Sequence, residues 1–479
     1  MHIQLKRILS ALLAALMILP SVSCATEGDP AETGKPSDIT AVTEEDTGYK
    51  PNIEKKNYEK DFTIVAVDNL RSWLVTDESA VGDPFMNTIY ERGVYIKDHL
   101  GVNLVLIEKI GDFTYANEIV RIVQSGDDAY QLIGAARHNG VSTLLGSGAL
   151  FDFADLEAVN LDAPYWARNI MEEYVVNDHY FVGYNDACLA DVACLVFNKD
   201  LADKYNLAKP YDDVRNMKWT LDTMAAFVSD VAEDNGDTVW DINDIYGITG
   251  DGHIDFIALN TACGIKMVDK DEDGNYHVAY NDNPEKMLNY LQKVEKLDQA
   301  EFSFFGKPWD QLEEASFDDG HALLRMQLTS ELIAMRESTV RFGILPYPMY
   351  DEEQGEYKAL NWNGLLMIPG AIKDPEMVGE VVELLAFYSA PVKVAFFEDL
   401  LGSKLSEAPE DAEMLNIIWD SQTSDVCLAV SSNDALSGIL YMVGFLCKDG
   451  INQYSSYLKK REKIANKTLD ALFNPKTRE

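Results

Sequence analysis

The stretch R-F-G-I-L-P-Y-P-M-Y-D-E-E-Q-G-E-Y, residues 341–357, decides the fold. Phe342 to Leu345 reads as a short buried strand. Pro346 and Pro348 then hold the backbone extended and remove two amide donors, so the segment cannot stay in a central ladder and must leave its sheet. Upstream, F-D-D-G-H-A-L-L-R-M, residues 317–326, reads as a tight turn opening a helix. Downstream, N-W-N-G-L-L-M-I-P-G, residues 361–370, contains another strand and leads to a long apolar helix near 376–389.

This succession resembles the sugar-type extracellular solute-binding lipoproteins that feed bacterial ABC importers, which are maltose-binding-protein-like. The resemblance lies in the F-x-x-G-x-A turn, the F-G-I-L-P-Y-P strand with its D-E-x-Q-x-x-Y tail, and the I-P segment that follows, and it extends over most of the chain from Asp61 onward. It implies a two-lobed α/β fold in which each lobe is a mostly parallel sheet flanked by helices, with a hinge between. The implied lobes are 61–188 plus 320–362, and 189–319 plus 363–479.

Composition agrees with a large two-domain chain. At 479 residues the length exceeds what one core organises comfortably. Forty Lys+Arg stand against 80 Asp+Glu, a formal net charge of -40. Such a charge repels phosphate backbones and anionic lipid head groups, so nucleic acid is excluded as a partner.

At the N-terminus Lys6 and Arg7 precede an apolar run at 8–19 and then P-S-V-S-C, residues 20–24. This is the order of an export signal over 1–23, and the run is too short for a membrane span. Its end resembles a lipobox, in which Cys24 becomes the lipid-modified first residue. Ser21 departs from that pattern, because a branched apolar residue usually stands three before the cysteine; an ordinary cleaved signal is the alternative. Residues 24–60 are rich in Thr, Gly, Pro and acids, too apolar-poor to offset their ordering entropy, and read as a disordered acidic tether. The five remaining cysteines, Cys188, Cys194, Cys263, Cys427 and Cys447, are scattered and odd in number, which reads as buried free thiols.

Strand, helix, strand, helix, strand can be read between 61 and 135, with Asp83-Pro84 starting a helix and Gly101 stopping it. That order argues a parallel sheet whose ligands sit beyond the strands' carboxyl ends. Thr220 is placed to cap one helix and Asn283-Pro284 to open another. An amphipathic helix near 452–473, with Tyr454, Tyr457, Leu458, Ile464 and Leu472 near one face, ends the chain as a brace. Asp269 to Gly274 has a D-x-D-x-D-G start, but Tyr280 stands where a calcium loop needs its bidentate Glu, so a hairpin turn is expected. The acid-rich loop at 234–244 leaves calcium open.

No G-x-S-x-G elbow, P-loop, H-E-x-x-H or dinucleotide loop is present in the sequence. Binding a sugar needs aromatic faces for the C–H surface of the ring and amides or carboxylates for its hydroxyls. Candidates at strand ends and lobe crossings are Trp362, Asn363, Asp68, Asn69, Trp73, Asn139, Tyr184 and Asp186, with Trp362 foremost; Trp219 and Trp419 fall in helical patterns and read as packing. The resemblance implies capture of a carbohydrate, an oligosaccharide first, between the lobes, and delivery to the membrane permease subunits of an ABC importer. It implies a lipid-anchored monomer on the outer face of the cytoplasmic membrane, without cofactor, metal or chemistry. A secreted carbohydrate-active enzyme, or a surface sensor or adhesion module on the same fold, stays open.

Overall fold

The computed structural model describes residues 48–473 except 68–70, 110–113, 136–139, 189–190, 253, 307–315, 336–337, 363, 402–408 and 432–433. The export signal, Cys24 and most of the tether lie outside the described residues, as do Asp68, Asn69, Asn139 and Asn363.

The strands are β1 (Lys60–Val67), β2 (Val102–Lys109), β3 (Leu132–Ala135), β4 (Leu150–Phe151), β5 (Ala193–Asn198), β6 (Tyr246–Asp251), β7 (Val268–Lys270) and β8 (Tyr276–Val278). They continue as β9 (Ser303–Gly306), β10 (Ala322–Leu328), β11 (Phe342–Leu345), β12 (Ala359–Leu360), β13 (Leu365–Pro369) and β14 (Gln422–Thr423). Two five-stranded sheets result, ordered β2-β1-β3-β13-β4 and β11-β5-β10-β6-β9. In the first, β1 runs parallel to β2 and β3, while β13 returns antiparallel beside β3 and β4. In the second, β10 and β6 are parallel, as are β6 and β9, and β5 lies antiparallel to both β10 and β11.

The local signals act as the sequence suggests. Asp83 accepts from the Met86 amide, Pro84 occupies the first turn, and Pro84–Leu100 ends on Gly101 at φ 65, a left-handed value that glycine adopts freely. Thr220 and Thr223 form a reciprocal cap for Leu221–Val228, and Asn283 caps Pro284–Asp298. The second acidic stretch is the turn of the β7–β8 hairpin. All five described cysteines are free and buried.

Four expectations are corrected. Residues 322–328 form β10, not a helix: A-L-L-R-M-Q-L is buried along almost its whole length between β5 and β6, and in so short an apolar run periodicity cannot separate a central strand from a buried helix. The lobe apportionment is exchanged for the elements between 322 and 401. β10 and β11, expected in the first lobe, pair with β5 and β6, whereas β13, expected in the second, lies inside the first sheet. The helices Pro375–Phe387 and Ala390–Leu401 follow β13 and pack on Pro84–Leu100 of the first lobe. The prolines did eject the strand, but the signal does not say which sheet it had occupied. Third, residues 48–60 are docked rather than free. The Lys56 and Tyr58 amides donate to the carbonyls of His99 and Leu100, and Lys56 Nζ and Tyr58 Oη reach the Glu380 carboxylate. Sparse aromatic anchors suffice once these backbone donors are satisfied. Finally, the helix Tyr454–Phe473 buries Tyr454, Leu458, Ala465, Leu469 and Phe473, while Ile464 is 59% exposed.

Candidate functional site

The junction of the two sheets follows from chain crossings. Val192 bridges Asn361 antiparallel, the Trp362 amide donates to the Asp191 carbonyl at 2.8 Å, and Gly183 bridges Leu366. The segment leading into β5 and the segment leading into β13 therefore cross side by side. Because β5 begins at Ala193 opposite Leu328, this end of the second sheet also carries the carboxyl ends of β10 and β6. On the first sheet, β13 begins opposite Ala135 at the carboxyl end of β3. The carboxyl ends of the parallel strands of both lobes thus meet the crossing, which is where open α/β sheets place their ligands.

The first-lobe side is aromatic. Trp73, in the short helix Arg71–Leu74, meets Phe85 at 5.7 Å and Phe396 at 5.3 Å between ring centroids, and Phe396 lies 6.3 Å from Trp419. Trp419 belongs to Pro409–Asp420, which packs on β11 of the second lobe, so this chain of rings passes from one lobe to the other. Lys393 Nζ sits 5.2 Å from the Trp419 ring centre and 3.8 Å from Asp186. The Asp186 side chain keeps 26% of its surface exposed, yet desolvation raises its pKa, opposed by the Lys393 ammonium.

The second-lobe side is acidic. Asp251, at the end of β6, accepts from the Ile254 amide and so caps Ile254–Ala262; Asp255 in that helix accepts from the Asp251 amide at 2.6 Å and from the Tyr347 hydroxyl at 3.2 Å. Burial pushes the Asp255 carboxyl up to about 8, against the pull of the Asp251 amide. Arg325 of β10 pairs with Glu331 at 2.9 Å. Asp191 accepts from the Ser330 amide at 3.1 Å, and desolvation raises its pKa.

Of the residues singled out from sequence, Trp362 is half-buried at the crossing itself. Trp73 and Asp186 belong to the aromatic side. Tyr184 is only 4% exposed, and its hydroxyl accepts from Asn361 Nδ2 at 2.6 Å, behind the crossing strands. Sequence reasoning missed Lys393, Phe396, Asp191, Asp251, Asp255 and Glu331, and set Trp419 aside as packing. Among the missed residues only Asp251 had a legible signal, a carboxylate ending a strand just before a helix. Trp219, by contrast, is buried, with its indole N–H donating to the Pro346 carbonyl. Among the described residues no cluster of His, Cys, Asp or Glu could hold a metal ion, and no helix is long and apolar enough to cross a membrane. In the 234–244 loop Asp234, Asp237, Asp241 and Asp244 accept from backbone amides of the loop.

No protein-family model and no curated protein sequence matches the chain. Solved structures do match. An ABC substrate-binding protein from Listeria monocytogenes, in complex with cycloalternan, aligns with TM-score 0.57 and 12% identity over 86% of this chain and 99% of that one. The GacH receptor of Streptomyces glaucescens, solved unliganded and with acarbose, aligns with TM-score 0.53 and 13% identity over 87% and 100%. An ABC transporter solute-binding protein from Thermotoga lettingae, bound with α-D-tagatose, gives 0.52 and 15% over 86% and 100%. The chain therefore has the two-lobed, periplasmic-binding-protein-like fold of ABC substrate-binding proteins.

Proposed function

We propose that this protein captures a carbohydrate, an oligosaccharide first, between its lobes and delivers it to the permease subunits of an ABC importer, held at the outer face of the membrane by lipid on Cys24. The observation that carries this reading is the pairing of chemistries at the crossing. Rings from Trp73 and Trp419 stand on one side, Asp251, Asp191 and Glu331 on the other, and Trp362 lies at the crossing between them, its amide on the Asp191 carbonyl. A pyranose has C–H faces that favour aromatic surface and hydroxyls that favour fixed acceptors, so both halves of the junction would have a use. Closure would follow because contacts to both lobes are complete only when the lobes approach.

A thermal-shift screen over mono- and oligosaccharides tests the ligand class, since a ligand at a hundred times its Kd adds about 2.7 kcal/mol to stability. Trp362→Ala should weaken binding of any hit at least about tenfold, equivalent to about 1.4 kcal/mol, with the ligand-free melting temperature little changed. Normal binding by that variant, or a panel with no hit, would remove the support. Product analysis after incubation with the same panel distinguishes capture from hydrolysis, and membrane partition of wild type against Cys24→Ala tests the anchor.

A further inference from the structure

We propose that Arg92 is a positioning residue for ligand binding, its guanidinium fixing the Trp73 indole as a wall of the interlobe site; this rests on the carbohydrate reading above. Arg92 lies in Pro84–Leu100 and is 1% exposed. Its Nη2 donates to the carbonyls of Trp73 at 2.6 Å and Leu74 at 2.7 Å, and its Nη1 to Ser389 Oγ at 2.8 Å. Among the described residues its hydrogen-bond partners are these hydroxyl and carbonyl oxygens and no carboxylate pairs with it, and Nε has no hydrogen-bond partner. Burial lowers its pKa to about 10, so it remains charged at neutral pH.

Burying a guanidinium without a counter-charge is costly, and an apolar side chain would fill the same space at less cost. The retained charge is directed at the carbonyls of Arg71–Leu74, a helix of four residues. One turn cannot sustain itself, and its final carbonyls have no intrahelical partner. Arg92 supplies the missing donors and ties that turn to the junction between Pro375–Phe387 and Ala390–Leu401, where Ser389 stands. The same supports carry the two rings that flank the indole: Phe85 comes from the Arg92 helix and Phe396 from the helix after Ser389. The guanidinium thus sets the Trp73 backbone while Phe85 and Phe396 set its ring. A lysine in its place keeps the charge but loses the planar fork that serves separate acceptors.

The test is a double-mutant cycle on saccharide affinity, with maltotriose, cellotriose and mannotriose as probes, joined to the indole N–H resonances of the ligand-free protein. Arg92→Lys should weaken binding about tenfold in the wild-type background and less than twofold in Trp73→Ala. Without ligand it should shift or broaden the Trp73 resonance and leave that of Trp219 in place. If Arg92→Lys does not fold, Ser389→Ala removes one acceptor and should move the Trp73 resonance in the same direction by less. Equal affinity losses in both backgrounds, or an unmoved Trp73 resonance, overturn the proposal. If the wild-type protein binds none of the probes, the carbohydrate reading is overturned, and a Trp73 resonance that still moves in ligand-free Arg92→Lys supports the guanidinium-to-indole coupling.

Discussion

The two sides of the crossing differ in how their side chains are held. On the aromatic side Trp73, Phe85 and Phe396 of the first lobe and Trp419 of the helix on β11 are placed by one another's surfaces, with Lys393 over the outermost ring. On the second-lobe side Asp251, Asp255, Tyr347, Arg325 and Glu331 are placed by directional hydrogen bonds to the starts of helices and to each other. Packing tolerates small rotations and loses energy in proportion to contact area, whereas a buried polar network fails abruptly when one partner is removed. The aromatic side should therefore respond to volume and the acidic side to protons.

Phe396→Ala should have the largest effect. Removing a fully buried phenylalanine costs about 3–5 kcal/mol. Chemical denaturation should show that loss, and saccharide affinity should fall as well because Trp73 and Trp419 lose their common neighbour. A loss below about 1 kcal/mol would mean the ring chain is not a packing unit.

Next comes the pH response of the acidic side. Asp255 titrates near 8 in the folded protein but near 4 when unfolded, so the folded state holds the extra proton between those values. Its contribution to stability is complete below about pH 4 and is lost as pH rises through about 8, with a slope of up to about 1.4 kcal/mol per pH unit. Asp425, pushed up to about 6, acts in the same direction over a narrower window. Groups facing Asp255 are Asp251, Glu331 and Tyr347. Asp255→Asn stays neutral, so its melting temperature should decline less between pH 5 and pH 8 than that of wild type. Parallel declines would show that another group titrates.

Trp419→Ala lies between these and the smallest effect. The lost ring contacts and the lost Lys393 interaction together amount to about 1–2 kcal/mol of stability, to be read by chemical denaturation, and saccharide affinity should fall with the loss of the indole face. Unchanged affinity would return Trp419 to the packing role its helical position suggests. Lys393→Met should cost less than about 1 kcal/mol of stability, since the ammonium is partly exposed. It should instead raise the Asp186 pKa further, measurable by carboxyl NMR titration; an unchanged value would show that the 3.8 Å approach has no electrostatic weight.

Much of the fold could be read from residues whose effect is local. Pro346 and Pro348 end a strand wherever that strand lies, Asp83-Pro84 starts a helix, Gly101 stops it, and Thr220 caps the next, because each acts on its own backbone within about one turn. The half-buried Trp362 at the crossing was legible for the same reason, standing between a proline break and the next strand. Tertiary structure alone decided which sheet accepted each strand. β10 and β11 paired with β5 and β6, and β13 entered the first sheet, choices made by partners up to hundreds of residues away that leave no local mark on A-L-L-R-M-Q-L or L-L-M-I-P. The same holds for Arg92, Lys393, Asp255 and Phe396. Each looks like an ordinary helix residue in the sequence, and its chemistry arises from what the packed lobes place against it: a carbonyl pair, an indole face, a buried tyrosine, a neighbouring ring.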